Sequence, residues 1–114
     1  MSIRDIINQR QIECRNSEQL FPERASQILV ELSAILGNIN SEILEREIAY
    51  NKRLLSCYEK ESKANRAKIL AETSEEYIAL REAKNAEVCA VEMIRSLKYF
   101  LKVREEELRQ SKYL

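Results

Sequence analysis

From Ile43 to Leu108 apolar side chains recur every three or four residues, and the stretch holds no Gly and no Pro. That spacing is the period of one face of an α-helix. Near its middle Thr73-Ser74-Glu75-Glu76 interrupts the pattern. Thr73 with Glu76 three residues on has the form of a capping box, and an acidic first turn suits the positive end of a helix. The pattern predicts two long helices folded back on each other near Thr73, the second running from about Ser74 to Gln110. Leu80, Ala83, Ala86, Ala90, Met93, Leu97, Phe100 and Leu101 make its apolar face. A connection this short makes the two helices antiparallel neighbours.

Upstream, Ile28, Leu32, Ile35 and Ile39 continue at helical spacing, with Leu29 and Leu36 beside them. They follow Phe21-Pro22-Glu23, where Pro suits a first helical turn because its missing N–H has no partner there. Gly37-Asn38 has the form of a C-cap, with Ser41 starting a new helix. Against that, Leu29, Leu36, Ile43, Tyr50, Cys57, Ala64 and Ala71 keep a seven-residue phase straight through Gly37. An unbroken phase favours one continuous helix that tolerates Gly at about 1 kcal/mol relative to Ala. At the N-terminus, Ser2 and Asp5 form a weak capping box ahead of a stripe of Ile3, Ile6, Ile7 and Ile12. These predict a short helix from about Ser2 to Cys14, ended by Asn16-Ser17. Such a helix is too short to stand alone and must dock on the hairpin or on another subunit. The expected fold is all-α: a long, coiled-coil-like antiparallel helical hairpin over residues 21–114, with a helical extension over residues 1–20.

Composition adds an expectation of self-association. At 114 residues the chain makes one modest domain, and with no Trp and two Phe a lone core would be thin. Long amphipathic helices with a thin core are completed by oligomerisation. Ile28, Leu32, Ile35, Ile39, Leu97 and Leu101 are the expected core and oligomer-forming positions. No apolar run approaches the roughly 18 residues of a membrane span. MSIRDIINQR lacks the apolar region of a signal peptide. The expectation is a protein of the cytoplasm, away from membranes, with reduced thiols.

Net charge is zero but unevenly spread: residues 25–51 carry −3, 52–68 carry +4, 69–92 carry −4 and 93–114 carry +3. A fold-back at residue 73 brings the basic stretch 52–68 against the acidic residues 78–94. It also brings Arg95, Lys98, Lys102 and Arg104 against Glu42, Glu45 and Glu47. The same register makes Cys57 meet Cys89, as two small packing residues or as a disulfide if their Cβ vectors converge. Small residues gather on both sides of the bend (Ala64, Ala67, Ala71; Ala79, Ala83, Ala86) and permit close approach.

Little in the chain suits catalysis. It has no His, three Cys without CxxC spacing, and no phosphate-binding or nucleophile motif. Its many carboxylates sit on helical faces rather than in a pocket that could separate their pKa values. No enzymatic activity, cofactor or metal is expected. The segment Tyr50-Asn51-Lys52-Arg53-Leu54-Leu55-Ser56-Cys57-Tyr58, continuing to Lys60, Lys63, Arg66 and Lys68, interleaves cations with tyrosines. That mixture suits single-stranded nucleic acid, with charges tracking phosphates and rings stacking on bases. The bland explanation is that these cations neutralise the return helix.

A Leu- and Ile-bearing helix, the Lys/Arg–Leu–Tyr stretch KRLLSCY and an Ala-, Glu- and Lys-rich return (residues 66–77, then Ile94–Lys102) together resemble the phage recombination mediators of the UvsY type. The likeness covers roughly residues 25–110, and this chain departs from it in its tighter hinge near Thr73. The resemblance implies a non-enzymatic ring-forming protein that binds single-stranded DNA and helps a recombinase displace single-strand binding protein. By match of position, Lys52 and Arg53 carry the DNA contact with Tyr58 close by; the basic segment itself, apart from the resemblance, adds Lys60, Lys63 and Arg66 as expected phosphate contacts. The alternative is a phage adaptor, or an inhibitor of a host protein, that acts through exposed helix faces without nucleic acid.

Overall fold

The structure, a computed structural model, describes residues 2–16 and 20–112. Those residues form four helices, α1 (Ile3–Arg15), α2 (Pro22–Lys60), α3 (Ala64–Glu72) and α4 (Glu75–Lys112), and no strand. The two long helices, α2 and α4, pack together. The chain divides into two compact units, Met1–Gly37 with Val88–Leu114, and Asn38–Glu87.

In the first unit α1 starts as its sequence predicts. The Ser2 hydroxyl accepts from the Asp5 N–H at 3.1 Å and the Asp5 carboxylate accepts from the Ser2 N–H at 3.3 Å, the reciprocal capping box. The helix ends at Arg15 with Asn16 as its C-cap, and Ser17, the other half of the expected stop, lies outside the described residues. Docking answers the marginal stability of so short a helix. Ile7 is buried, and so are Ala25, Ile28 and Leu32 of α2 and Ala90, Met93 and Leu97 of α4. Arg10 donates from Nε and Nη2 to the Glu31 carboxylate at 2.8 and 3.1 Å. Arg24 donates likewise to Glu13 at 2.5 and 3.1 Å. The Arg24 hydrogen bonds hold the Glu13 carboxyl below its ordinary value. Half-exposed ion pairs stabilise little, but paired donors on a planar guanidinium fix the direction in which α1 lies along α2.

α2 begins at Pro22, and its first-turn Ala25 N–H is accepted by the Phe21 carbonyl at 3.0 Å. It runs without a break through Gly37, as the seven-residue phase predicts. A Cβ built on Gly37 meets nothing within 4 Å. Gly37→Ala should therefore raise stability by about 1 kcal/mol, by removing the entropy cost of an exposed mid-helix glycine. Urea denaturation with an unchanged slope and a higher midpoint would show it.

The second unit departs from the sequence expectation. The chain doubles back at residues 61–63 rather than at Thr73. Cys57 clusters with Ala67 and Ala71, and Tyr50 and Leu54 pack against the group, so α3 returns along the end of α2. The cause lies in the stripe Tyr50, Leu54, Cys57: its next position is Glu61, and a longer helix would drive that carboxylate into the seam. Instead the helix stops, Lys63 takes an extended conformation (φ −102°, ψ 121°), and Glu61 pairs with Arg66 at 3.8 Å. The seven-residue phase is lost here, leaving Ala64 exposed although Ala71 is buried.

A second, smaller break separates α3 from α4. Thr73 does not cap α4. Its hydroxyl donates back to the carbonyls of Ile69 and Leu70 at 3.1 and 3.0 Å. Ser74 is the cap: its hydroxyl accepts from the Tyr77 N–H at 3.3 Å and donates to the Ala71 carbonyl. The third helical position is then Tyr77, so the expected box with Glu76 does not form. Beyond it the Tyr50 and Tyr77 rings meet with centroids 5.2 Å apart, and Lys84 pairs with Glu47 at 3.8 Å. These contacts make α4 antiparallel to α2, in a register 15 to 19 residues away from the one a turn at Thr73 would impose. The expected pairing of Arg95, Lys98, Lys102 and Arg104 with Glu42, Glu45 and Glu47 is not found among the described residues: Glu42 pairs with Arg46 and Glu47 with Lys84.

The expected meeting of Cys57 with Cys89 is also overturned. Cys57 is buried against α3 in the second unit, and Cys89 belongs to the first. All three cysteines are free thiols.

Candidate nucleic-acid interface

The residues singled out as nucleic-acid contacts all fall in the second unit, at the end of α2 and the start of α3. Lys52, Arg53, Tyr58 and Lys60 lie on α2, Lys63 at the turn and Arg66 on α3, and every one is exposed. The break at residues 61–63 matters for their placement. It carries Lys63, Arg66 and Lys68 around the turn, so the cations occupy two helices and the loop between them instead of one face of a rod.

Their pairing decides between a solvated neutralising face and a free one. Among the described residues Lys52, Arg53, Lys60, Lys63 and Lys68 make no ion pair, and Arg66 reaches only Glu61, with its own side chain 70% exposed. Neutralisation of the return helix, the bland explanation, required them to face residues 78–94, and the shifted register removes that opportunity.

The tyrosine is a different matter. Arg53 and Lys60 stand seven residues apart and project from one side of α2. Tyr58 lies roughly 140° around the helix from Arg53 at 3.6 residues per turn. Tyr58 therefore points to a different side of α2 from the one that Arg53 and Lys60 share. Lys52 lies between, on the back of the helix. At the turn, Lys63 and Arg66 border a shallow depression whose floor includes Ile69 and Leu70. Those two are 63% and 47% exposed, an apolar patch that the sequence pattern did not single out because it assigned Ile69 and Leu70 to a continuous helix.

Of the expected core positions, Ile28, Leu32, Ile39 and Leu97 are buried within the subunit, and Ile35 and Leu101 are half-buried. The first four are committed to the intrachain core and are not available to another subunit.

The first unit holds a separate groove of about 400 Å³ lined by Cys14, Leu20, Cys89, Met93, Leu97 and Phe100 among others. Sequence spacing gave no sign that Cys14 and Cys89 border one groove. Burial pushes the Cys14 thiol above its ordinary value, so it is a weak nucleophile at neutral pH. No group of three or more His, Cys, Asp or Glu side chains among the described residues could hold a metal ion. Among the described residues no helix is long and apolar enough to cross a membrane.

No family model, curated protein or solved structure matches this chain. The arrangement of its own residues is therefore the basis for any functional assignment.

Proposed function

We propose that this chain is a non-catalytic accessory protein of recombination that binds single-stranded DNA, with Arg53, Lys60, Lys63 and Arg66 as its phosphate contacts. The observation that carries the reading is the set of exposed cations around the turn at residues 61–63, of which Arg53, Lys60 and Lys63 have no carboxylate partner among the described residues and Arg66 reaches Glu61 at 3.8 Å with its side chain 70% exposed. Cations without carboxylate partners keep their full charge for a polyanion, and counterions released from the strand supply most of the affinity. Lys52 adds to the local field from the back of α2, and Lys68 from α3. Tyr58 is left out of the contact set because of its position around the helix.

The test is a titration of fluorescent oligothymidylate by the full chain at several salt concentrations. For single strands each neutralised phosphate contributes about −0.7 to the slope of log K against log salt. Four contacts predict a slope of about −3. Replacing Arg53 and Lys60 together by Ala should flatten it by about 1.4. Tyr58→Ala should leave the slope unchanged. Absence of binding at the lowest salt would end the proposal.

One observation favours the alternative of a protein-interaction module of phage origin, an adaptor or inhibitor. Ile69 and Leu70 expose apolar surface beside Lys63 and Arg66, the mixture found where an acidic, partly apolar peptide docks. Failure to bind DNA, together with capture of such a peptide that is lost in Ile69→Ser, would establish it.

A further inference from the structure

α2 carries two stripes, and the structure uses one of them. The inward stripe in the second unit includes Tyr50, Leu54 and Cys57. On another face Ser41, Leu44, Ile48, Asn51, Leu55 and Tyr58 follow each other at intervals of three, four, three, four and three residues, and all six are exposed. Leu44, Ile48, Leu55 and Tyr58 leave 59%, 48%, 61% and 44% of their surface to solvent. Single exposed leucines on a helix are ordinary. Four large apolar side chains in alternating three–four spacing are the seam of a coiled coil, which wants a second helix along it.

Charge says which helix. The stretch before the seam's midpoint is acidic, with Glu42, Glu45 and Glu47 against Arg46, and the stretch after it is basic, with Lys52, Arg53 and Lys60 against Glu59. Such a helix is complementary to itself when reversed. With a two-fold axis between Ile48 and Asn51, Leu44 meets Leu55 of the second copy, and Glu45 flanks Lys52 of that copy. Both contacts occur twice. A parallel pairing would stack the acidic stretch on its own copy and the basic stretch on its own copy, so like charges oppose it.

We propose that α2 pairs antiparallel with α2 of a second copy of this chain, along the seam Ser41–Leu44–Ile48–Asn51–Leu55–Tyr58. The seam extends about 27 Å at 1.5 Å per residue. So short a coiled coil is marginal between free peptides, but here the helix is ordered before it meets its partner. The ordering entropy that weakens peptide association is therefore largely absent. Asn51 is the one amide in the seam, and a polar residue at such a position lowers affinity while fixing register. The pairing leaves Arg53 and Lys60 on a different side of α2, so it does not depend on the proposed DNA contact and survives if that contact is refuted.

Light scattering on the full chain at tens of micromolar should give twice the 13.4 kDa subunit mass. Leu44→Lys and Leu55→Lys, both at exposed positions, should keep the helical circular dichroism and weaken association at least 100-fold, yielding monomer. A monomeric native chain, or an oligomer indifferent to both substitutions, would overturn the pairing. Direction is read separately. Leu44→Cys mixed with Leu55→Cys should form a cross-link between the two variants under mild oxidation, beyond any background from the native thiols. Cross-linking of Leu44→Cys to itself in place of that product would overturn the antiparallel arrangement.

Discussion

Leu32→Ala is expected to lower the free energy of unfolding by about 2–5 kcal/mol, the range for deleting a fully buried leucine side chain and leaving a cavity behind. Leu32 has no exposed surface and shares the first unit with the equally buried Ile28, the docked Ile7 of α1 and Leu97 of α4. For a small protein whose whole stability is of order 5–15 kcal/mol, that is a large fraction. Two neighbours on the same helix serve as controls. Ile35→Ala should cost less, because Ile35 is half-buried. Val30→Ala should fall within about 0.5 kcal/mol of the native protein, because Val30 is 67% exposed and Ala is the better helix former. Urea midpoints for the three variants check the ordering. Equal losses at positions 30 and 32 would mean that α2 is rotated from the orientation described.

The second large effect is expected from adding atoms instead of removing them. Ala67 has no exposed surface and sits with Ala71 against Cys57, where α3 lies close along α2. Ala67→Leu should destabilise by about 1–3 kcal/mol through overpacking, since neither helix can yield without losing the turn. The same change at Ala64, three residues earlier and exposed, should be nearly neutral. The contrast isolates packing from helix propensity, because both positions receive the same residue in the same helix. Amide hydrogen exchange should place the loss in α3, with protection falling there before it falls in α1.

Much of the helical content could be read from spacing alone. Helix α1, the continuity of α2 across Gly37, and the inward positions Ile28, Leu32, Ile39 and Leu97 all follow from apolar side chains recurring at three and four residues. Those signals are local, and local periodicity survives whatever the rest of the chain does. The position of the turn is not a local property. Residues 61–63 contain no Gly or Pro, whereas Thr73-Ser74-Glu75-Glu76 has the more obvious start signature, so punctuation pointed to the wrong break. What decides the matter is that Glu61 falls in line with Cys57, a conflict visible only once the partner of that stripe is known. The shifted register then explains why the charge blocks and the Cys57–Cys89 pairing, which fitted a bend at Thr73 so well, do not form. Several coincidences of spacing can agree with one another and still rest on a single misplaced bend.

The candidate interface was legible as a composition and not as a surface. Counting cations and tyrosines between residues 50 and 68 marked out a candidate segment. It could not separate Tyr58 from Arg53 and Lys60, which needs the helical phase, nor show that Lys63 and Arg66 lie around the turn. The exposed seam of α2 was hidden for a related reason. Its members alternate with the inward stripe along the same stretch, and a single apolar period absorbs both until burial distinguishes them.

Lys63 stands where a helix most rewards a short polar side chain. It occupies the N-cap position of α3, and no side chain caps the first turn there. Asp or Ser in its place would accept from those amides and strengthen the helix by about 1 kcal/mol. Asp would also turn a positive site into a negative one beside Arg66, and Ser would simply delete the charge. Under the proposed function, position 63 is thus a point of conflict at which a sturdier turn and a firmer grip on a polyanion make opposite demands on one residue.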